Sequence, residues 1–133
     1  MRIAVLIVLC LRVAAGCTVV APPVKDAVKQ AQVVFRGMVT EISDSEITFR
    51  VDRVWKGPVT ATFSMPKVIW SSSGCLPGFY QGIVKVGAEL LVYARRVPEV
   101  DVSGYIPTPG SRTAPVANAA DDLKRLGRGH QPK

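Results

Sequence analysis

Alternating apolar and polar side chains mark two adjoining runs near the middle of the chain, residues 33 to 43 and 46 to 56. Both runs are rich in Val, Ile, Phe and Thr, which suit strands, and the turn formers Asp44 and Ser45 separate them. In the second run one face is apolar and the other polar: Ile47, Phe49, Val51 and Trp55 lie opposite Thr48, Arg50, Asp52 and Lys56. This pattern predicts a β-hairpin that begins a sheet.

Three further segments also have the character of strands. Residues 59 to 65 alternate apolar and hydroxyl side chains up to Pro66, which cannot donate a ladder hydrogen bond. Residues 88 to 97 are apolar on both faces, and residues 102 to 106 predict a last strand or extended segment. Between them, residues 71 to 82 are rich in Gly and Ser and predict a long ordered loop.

Two stretches follow helical periodicity instead. Apolar residues recur at i, i+3, i+4 and i+7 over residues 24 to 31, directly after Pro22 and Pro23, which predicts a short amphipathic helix over one end of the sheet. Near the end of the chain, helical spacing with Pro115 near the start and Gly127 just past the end predicts a helix over residues 115 to 126. The last residues, 128 to 133, are expected to form a frayed tail.

The first sixteen residues have the pattern of a signal peptide. A short positive end precedes an apolar run over residues 3 to 11, and small residues follow at a suitable cleavage position. The run is too short to span a bilayer, which takes about 20 residues. Its removal takes Arg2 and Arg12 away, so the formal charge falls from +7 to +5 (7 − 2). A mixed-charge surface explains this balance without a polyanionic partner, and we expect one secreted or extracytoplasmic domain over residues 17 to 127.

The number of cysteines agrees with export, and Cys17 can either form a disulfide or carry a lipid. Cys10 lies in the apolar run, so Cys17 and Cys75 remain in the mature chain. In an exported protein such a pair indicates a disulfide. The preceding Ala-Ala-Gly is also a weak lipoprotein cleavage box, in which case Cys17 would carry a lipid and anchor the chain to a membrane. A lipidated Cys17 could not form the disulfide.

Residues suited to catalysis or metal binding are scarce. The single histidine, His130, lies near the chain end, so neither a zinc ligand set nor a Ser-His-Asp or Cys-His arrangement can be assembled. The carboxylates are scattered and single out no general acid and base pair. We therefore predict a protein that is not an enzyme, with no catalytic residues, no metal site and no cofactor.

Taken in order, these segments resemble the netrin-like family, which includes the tissue inhibitors of metalloproteinases. The similarity covers Cys17 with Ala-Pro-Pro and a helix, then QAQVVFRGMV, ITFRVDRVWKG, the Gly-Cys ending at Cys75, GAELLVYA and SRTAPVANAADDLKRLG. The resemblance implies a mainly β fold, a five-stranded Greek-key OB-fold barrel with a short N-terminal helix and a C-terminal helix. It also implies a bridge between Cys17 and Cys75.

The chain departs from the family pattern at one disulfide. Val19 stands where the family commonly has a second cysteine, and Gly110 stands at that cysteine's usual partner position, just before Ser111. Because both cysteines of the second disulfide are absent, neither is left as a free thiol. The joint loss supports the resemblance and leaves the Cys17–Cys75 bridge as the one it implies.

Three functions follow from the resemblance, in decreasing order of preference. The first is an exported, non-enzymatic binding module whose protein partner the sequence does not name. The second is a metalloproteinase inhibitor, in which a mature amino-terminal Cys17 would place its amino and carbonyl groups on the catalytic zinc. The third is an OB-fold nucleic-acid binder built from Arg50, Arg53, Lys56, Trp55 and Phe63. Because the aromatic residues fit a core equally well, no nucleic-acid partner is predicted.

Overall fold

The computed structural model describes residues 20–70, 77–96, 104–108 and 110–133, so Cys17 and Cys75 lie outside the described residues. Two helices and eight strands occur in these ranges: α1 (Val24–Gln30), β1 (Val33–Ile42), β2 (Glu46–Lys56), β3 (Thr62–Pro66), β4 (Ile69–Trp70), β5 (Phe79–Tyr80), β6 (Glu89–Arg95), β7 (Ile106–Pro107), β8 (Ala114–Pro115) and α2 (Ala120–Leu126). Short 3₁₀ turns cover Gln81–Ile83 and Val116–Asn118. Neither helix is long and apolar enough to cross a membrane.

A curled antiparallel sheet, shaped as a half-barrel, forms the body of the protein. Its strands lie in the order β3-β2-β1-β6-β7, and β8 pairs with β6. The predicted hairpin is confirmed, since β1 and β2 pair along their length across the turn at Asp44 and Ser45. The mainly β character with two helices is confirmed as well. A separate parallel pair is formed by β4 and β5.

The inner face of the curled sheet holds the main hydrophobic core. Phe35 and Phe49 meet edge to face, with ring centroids 5.4 Å apart, and both are fully buried. Other strand residues complete this core: Val33, Val39, Ile47, Val51, Val54, Met65, Phe79, Leu90, Val92 and Ala94. Side chains from alternate strand positions therefore build the inner core, as the period of two predicts.

Trp55 does not share the face of Phe49, contrary to the sequence prediction. Gly37 pairs with Val51 and Arg36 with Arg53, so Asp52 is an extra residue in β2 and forms a β-bulge. The bulge reverses which side the following residues face. Val54 therefore joins the inner core, whereas Trp55 packs on the outer face.

The two helices cover one end of the outer face. There Ala27 of α1, Ala31 just after α1 and Ala119 before α2 pack on Leu91 and Tyr93. Five consecutive residues of β6 are buried, because the strand lies between the inner core and the helices. This confirms the prediction that the strand is apolar on both faces.

Several boundaries differ from those predicted. The third strand begins at Thr62 rather than residue 59, although Val59 is buried. The C-terminal helix begins at Ala120 instead of residue 115, because Ala114 and Pro115 pair with β6 before the chain turns. Of the expected last strand, residues 102 and 103 lie outside the described residues, while β7 begins at Ile106.

The chain end is held against the sheet. We expected a frayed tail over residues 128–133, but His130 exchanges two backbone hydrogen bonds of 2.8 Å with Val54. A further backbone bond of 3.3 Å joins the Ala61 amide to the Lys133 carbonyl. These backbone bonds hold the last residues against β2 and against the segment before β3.

Candidate functional site

A groove of about 930 Å³ lies between α1 and α2 on the outer side of the molecule. Apolar and charged side chains line it, from both helices, from β2 and from the segments just before α1 and β8: Pro23, Val24, Lys25, Val28, Lys29, Trp55, Arg112, Asp121, Arg125 and Leu126. Its volume is within the range of about 300 to 1,000 Å³ that is usual for ligand sites. We therefore take this groove as the candidate binding site.

Trp55 forms an apolar part of the groove wall and is held in one orientation. The bulge in β2 turns this side chain towards the helices, where it packs beside the second hydrophobic cluster. Its ring N–H donates a 3.1 Å hydrogen bond to the carbonyl oxygen of Gly127, just after α2. Gly127 ends that helix with a φ of 77°, a conformation that favours glycine. Val28 and Leu126 add half-buried aliphatic surface.

The charged lining residues are mostly cationic, and two of the cations have no carboxylate partner among the residues that the structure describes. Lys25 and Lys29 are exposed, lie one helical turn apart on α1, and form no ion pair within the described part of the chain. On the α2 side, Arg125 pairs with Asp121 at 3.0 Å, both side chains being exposed. The α1 wall of the groove therefore carries two positive charges that no ion pair between described residues balances.

A polar network beside the groove joins α2 to the strands and to the chain before α1. Arg112 donates to Asp122 from Nε at 2.8 Å and from a terminal nitrogen at 2.6 Å, and Tyr93 donates its hydroxyl hydrogen to the same carboxylate at 2.9 Å. Only 7% of the Asp122 side chain is exposed. Among the described residues, no buried side-chain polar atom lacks a hydrogen-bond partner. The network thus meets the usual requirement for burying a charge.

This network changes the acidity of its members. The hydrogen bond from Arg112, assisted by that from Tyr93, holds the pKa of Asp122 below its ordinary value despite burial. Burial and the hydrogen bond to Asp122 raise the pKa of Tyr93. At neutral pH the carboxylate is therefore ionised and the phenol is protonated, so both groups hold the helices in place rather than exchange protons.

Helix α1 is held at both ends by side chains from elsewhere in the chain. At its start, a terminal nitrogen of Arg112 donates to the carbonyl oxygen of Pro22 at 3.2 Å. At its end, the Lys56 ammonium group donates to the carbonyl oxygen of Val28 at 2.8 Å, where a cation also suits the helix dipole. The two tethers fix the α1 wall of the groove.

The residues suggested for nucleic-acid binding do not form one surface. Phe63 packs against the inner core, with its ring centroid 5.3 Å from that of Phe35. Lys56 and Trp55 face the helices, and Arg50 borders a separate small depression beside Arg36. Cys17 and Cys75 lie outside the described residues, so their disulfide, the lipid alternative and the role of Cys17 as an inhibitory N-terminus stay predictions.

The groove offers surface for binding and little for chemistry. Among the described residues that line it there is no Ser, Thr, Cys or His, and the one carboxylate, Asp121, is exposed and paired with Arg125. Over the described ranges, no group of three or more His, Cys, Asp or Glu residues could hold a metal ion. The arrangement is suited to holding a ligand by apolar contact and by charge.

Sequence reasoning identified the helix that forms one wall but not the groove itself. The amphipathic pattern of residues 24 to 31 placed Lys25 and Lys29 on its polar side. No local pattern pairs Arg112 with Asp122. The apolar Val54, which breaks the alternation of β2, is the one local sign that Trp55 faces outward. No family model, no curated protein and no solved structure matches the chain. Any function must therefore be argued from the geometry.

Proposed function

We propose that this chain is an exported, non-enzymatic binding module of the netrin-like type, which holds a protein partner in the groove between α1 and α2. In this proposal the curled half-barrel is part of a five-stranded Greek-key OB barrel. The antiparallel order β3-β2-β1-β6 supports that assignment, since β1 pairs with strands both adjacent and distant in sequence.

The observation that carries the proposal is the open, fixed groove. A seven-residue helix is too short to be stable alone in water, yet α1 is tethered at Pro22 and at Val28 by side chains from the rest of the fold. The tethered helix leaves half-buried aliphatic surface beside Trp55, together with two exposed lysines that pair with no described carboxylate. A preformed surface of this kind reduces the ordering cost of binding.

Export has its own support and its own test. The signal-like residues 1 to 16 and the cysteine pair of the mature chain favour it. Intact-mass measurement of the mature protein gives the cleavage site. An extra Gly16 or a lipid on Cys17 would rule out zinc chelation by that residue, and with it the inhibitor alternative.

The disulfide of the exported form can be tested by one substitution. We expect Cys75→Ala to lower the free energy of unfolding by roughly 2–5 kcal/mol if the bridge exists. Labelling of free thiols in the non-reduced wild-type protein gives a second readout. If Cys75→Ala left stability unchanged and both cysteines of the wild type reacted with the label, the protein would have no Cys17–Cys75 bridge.

A pair of neighbouring positions on α2 tests the groove as the binding surface. Arg125 lines the groove, whereas Lys124 is exposed and does not. A photo-reactive amino acid is placed at either position of the mature protein, which is then illuminated in the native extracytoplasmic fraction. We expect a discrete protein adduct from position 125 and none of the same mass from position 124. Equal adducts from both positions, or adducts from 124 alone, would contradict the proposal.

A further inference from the structure

We infer that the groove binds an extended acidic segment of the partner, in which two carboxylates flank one aliphatic residue. The carboxylates would meet Lys25 and Lys29, and the aliphatic side chain would lie against Trp55 and Leu126. This inference rests on the proposed function and names the chemistry of its partner. It follows from the charge, the spacing and the length of the groove.

Charge complementarity is the first argument. Four of the five charged lining residues are cations, but Arg112 is neutralised by Asp122 and Arg125 by Asp121. The two lysines of α1 remain without a carboxylate in the described part of the chain. A segment with two carboxylates matches this charge, whereas a basic segment would be repelled.

Spacing on the helix gives the second argument. Lys25 and Lys29 are four residues apart, which is about 6 Å along the helix axis. In an extended strand, side chains two residues apart point the same way and are roughly 6.6 Å apart. Two carboxylates at such positions can therefore each meet one lysine, and the residue between them points to the opposite side.

The apolar lining supplies the place for that middle residue. Trp55 of β2 and Leu126 of α2 line the groove outside α1 and contribute half-buried apolar surface for a side chain that points away from the lysines. Because the Trp55 N–H is already bonded to Gly127, the ring offers contact area rather than a polar group. An aliphatic side chain suits this surface, whereas a charged one would lose hydration without a partner.

The length of the wall limits the footprint. The seven residues of α1 extend about 10 Å, which matches about three residues of an extended chain. A single fatty acid would bring only one carboxylate to two lysines. The sequence of this chain also contains two carboxylates around an aliphatic residue, Glu99-Val100-Asp101, so a second copy is a separate occupant that the sedimentation experiment below tests.

Three labelled peptides test the inference on the full mature protein by fluorescence anisotropy. Their centres are Glu-Leu-Glu, the uncharged Gln-Leu-Gln and the less apolar Glu-Ser-Glu. We expect the first to bind tightest, and its affinity to fall as salt is raised from about 50 mM to about 500 mM. The Lys25→Gln/Lys29→Gln variant should weaken its binding by about tenfold or more, equivalent to at least about 1.4 kcal/mol.

The matched control removes the same charge elsewhere. Lys124→Gln/Arg128→Gln also lowers the charge by two at exposed positions outside the groove lining. We expect it to change the affinity for the Glu-Leu-Glu peptide by less than about twofold at about 150 mM salt. A loss equal to that of the groove variant would mean that only net charge matters, and would overturn the inference.

Other outcomes distinguish a failure of this inference from a failure of the proposed function on which it rests. Equal binding of the Gln-Leu-Gln peptide, or binding of decanoate with no binding of any peptide, overturns the acidic-segment inference. So does self-association in sedimentation runs that the Lys25→Gln/Lys29→Gln variant abolishes, because the occupant would then be a second copy. If cross-linking from position 125 still captures a protein while the Glu-Leu-Glu peptide fails, the proposed function stands and this inference falls.

Discussion

The two faces of the sheet are built by different means. The inner face is covered by the side chains of the sheet's own strands and contains interlocked rings such as Phe35 and Phe49. The outer face is covered at one end by two seven-residue helices, which pack through small residues and are tied down by Arg112, Asp122 and Lys56. The inner face gains stability from apolar burial, whereas the outer face needs polar tethers to place its helices.

The difference explains where a binding surface can form. A face that packs to native density leaves no room for a ligand. Ala27 within α1, and Ala31 and Ala119 at the helix ends, allow close contact with the sheet. Longer side chains such as Lys25, Lys29 and Arg125 line the groove. We therefore expect the outer face to bind the ligand and the inner face to contribute most of the stability.

We expect the greatest loss of stability from a cavity in the inner core. Phe49→Ala removes a fully buried ring that meets Phe35, so we expect the free energy of unfolding to fall by about 3–5 kcal/mol. The matched outer-face change is Leu123→Ala in α2, where the side chain is only half-buried and the expected loss is roughly 1–2 kcal/mol. Urea unfolding at neutral pH measures both values, and equal losses would refute the contrast.

The buried ion pair tests the tether itself. Asp122→Asn leaves Arg112 without its charged partner, so we expect a loss of roughly 3 kcal/mol in urea unfolding. Tyr93→Phe keeps the ion pair and removes one hydrogen bond, which should cost about 1 kcal/mol. If Asp122→Asn cost no more than Tyr93→Phe, the ion pair would not be what holds α2.

The pH dependence of stability should report the same network. Because the folded-state pKa of Asp122 lies below its unfolded value, its contribution is complete above about pH 4 and is lost as the pH falls through the folded pKa. The folded-state pKa of Tyr93 is raised, so Tyr93 affects stability at alkaline pH. Its contribution is complete below about pH 10 and is lost as the pH rises through the folded pKa. Subtracting the stability curve of Asp122→Asn from that of the wild type should show the acid limb, and its absence would contradict this assignment.

The smallest effect is expected from a similar pair in solvent. Arg36 and Asp52 also form a double hydrogen bond, but 60% of the Asp52 side chain is exposed, against 7% for Asp122. Solvent screens the exposed pair, so Asp52→Asn should cost less than about 1 kcal/mol in the same urea assay. A cost close to that of Asp122→Asn would show that burial does not distinguish the two pairs.

Much of the inner face could be predicted from the sequence, and little of the outer one. The alternation that identified β1 and β2 is local, and it also placed Ile47 and Phe49 correctly in the core. It failed at Trp55, because Asp52 is an extra residue and the resulting bulge exchanges the faces of the strand. The shift appears in the sequence only as the apolar Val54 on the otherwise polar face, which does not show by itself which residue is extra.

The candidate groove was missed for a related reason. The helical pattern of residues 24 to 31 was visible, but the C-terminal helix was expected to begin at residue 115 and the last residues to fray. In the structure, pairing of Pro115 with β6 delays the helix, and His130 pairs with Val54. These corrections depend on neighbours that come from distant parts of the chain.

By itself, then, the sequence determined the hairpin, the doubly apolar strand β6 and the amphipathic helix α1, because each follows from side chains within a few positions of one another. Tertiary structure alone decided how the helices stand on the sheet. The bonds from Trp55 to Gly127 and from Arg112 to Pro22 join residues 72 and 90 positions apart. Such partners meet only after the chain has folded, so no local period encodes them.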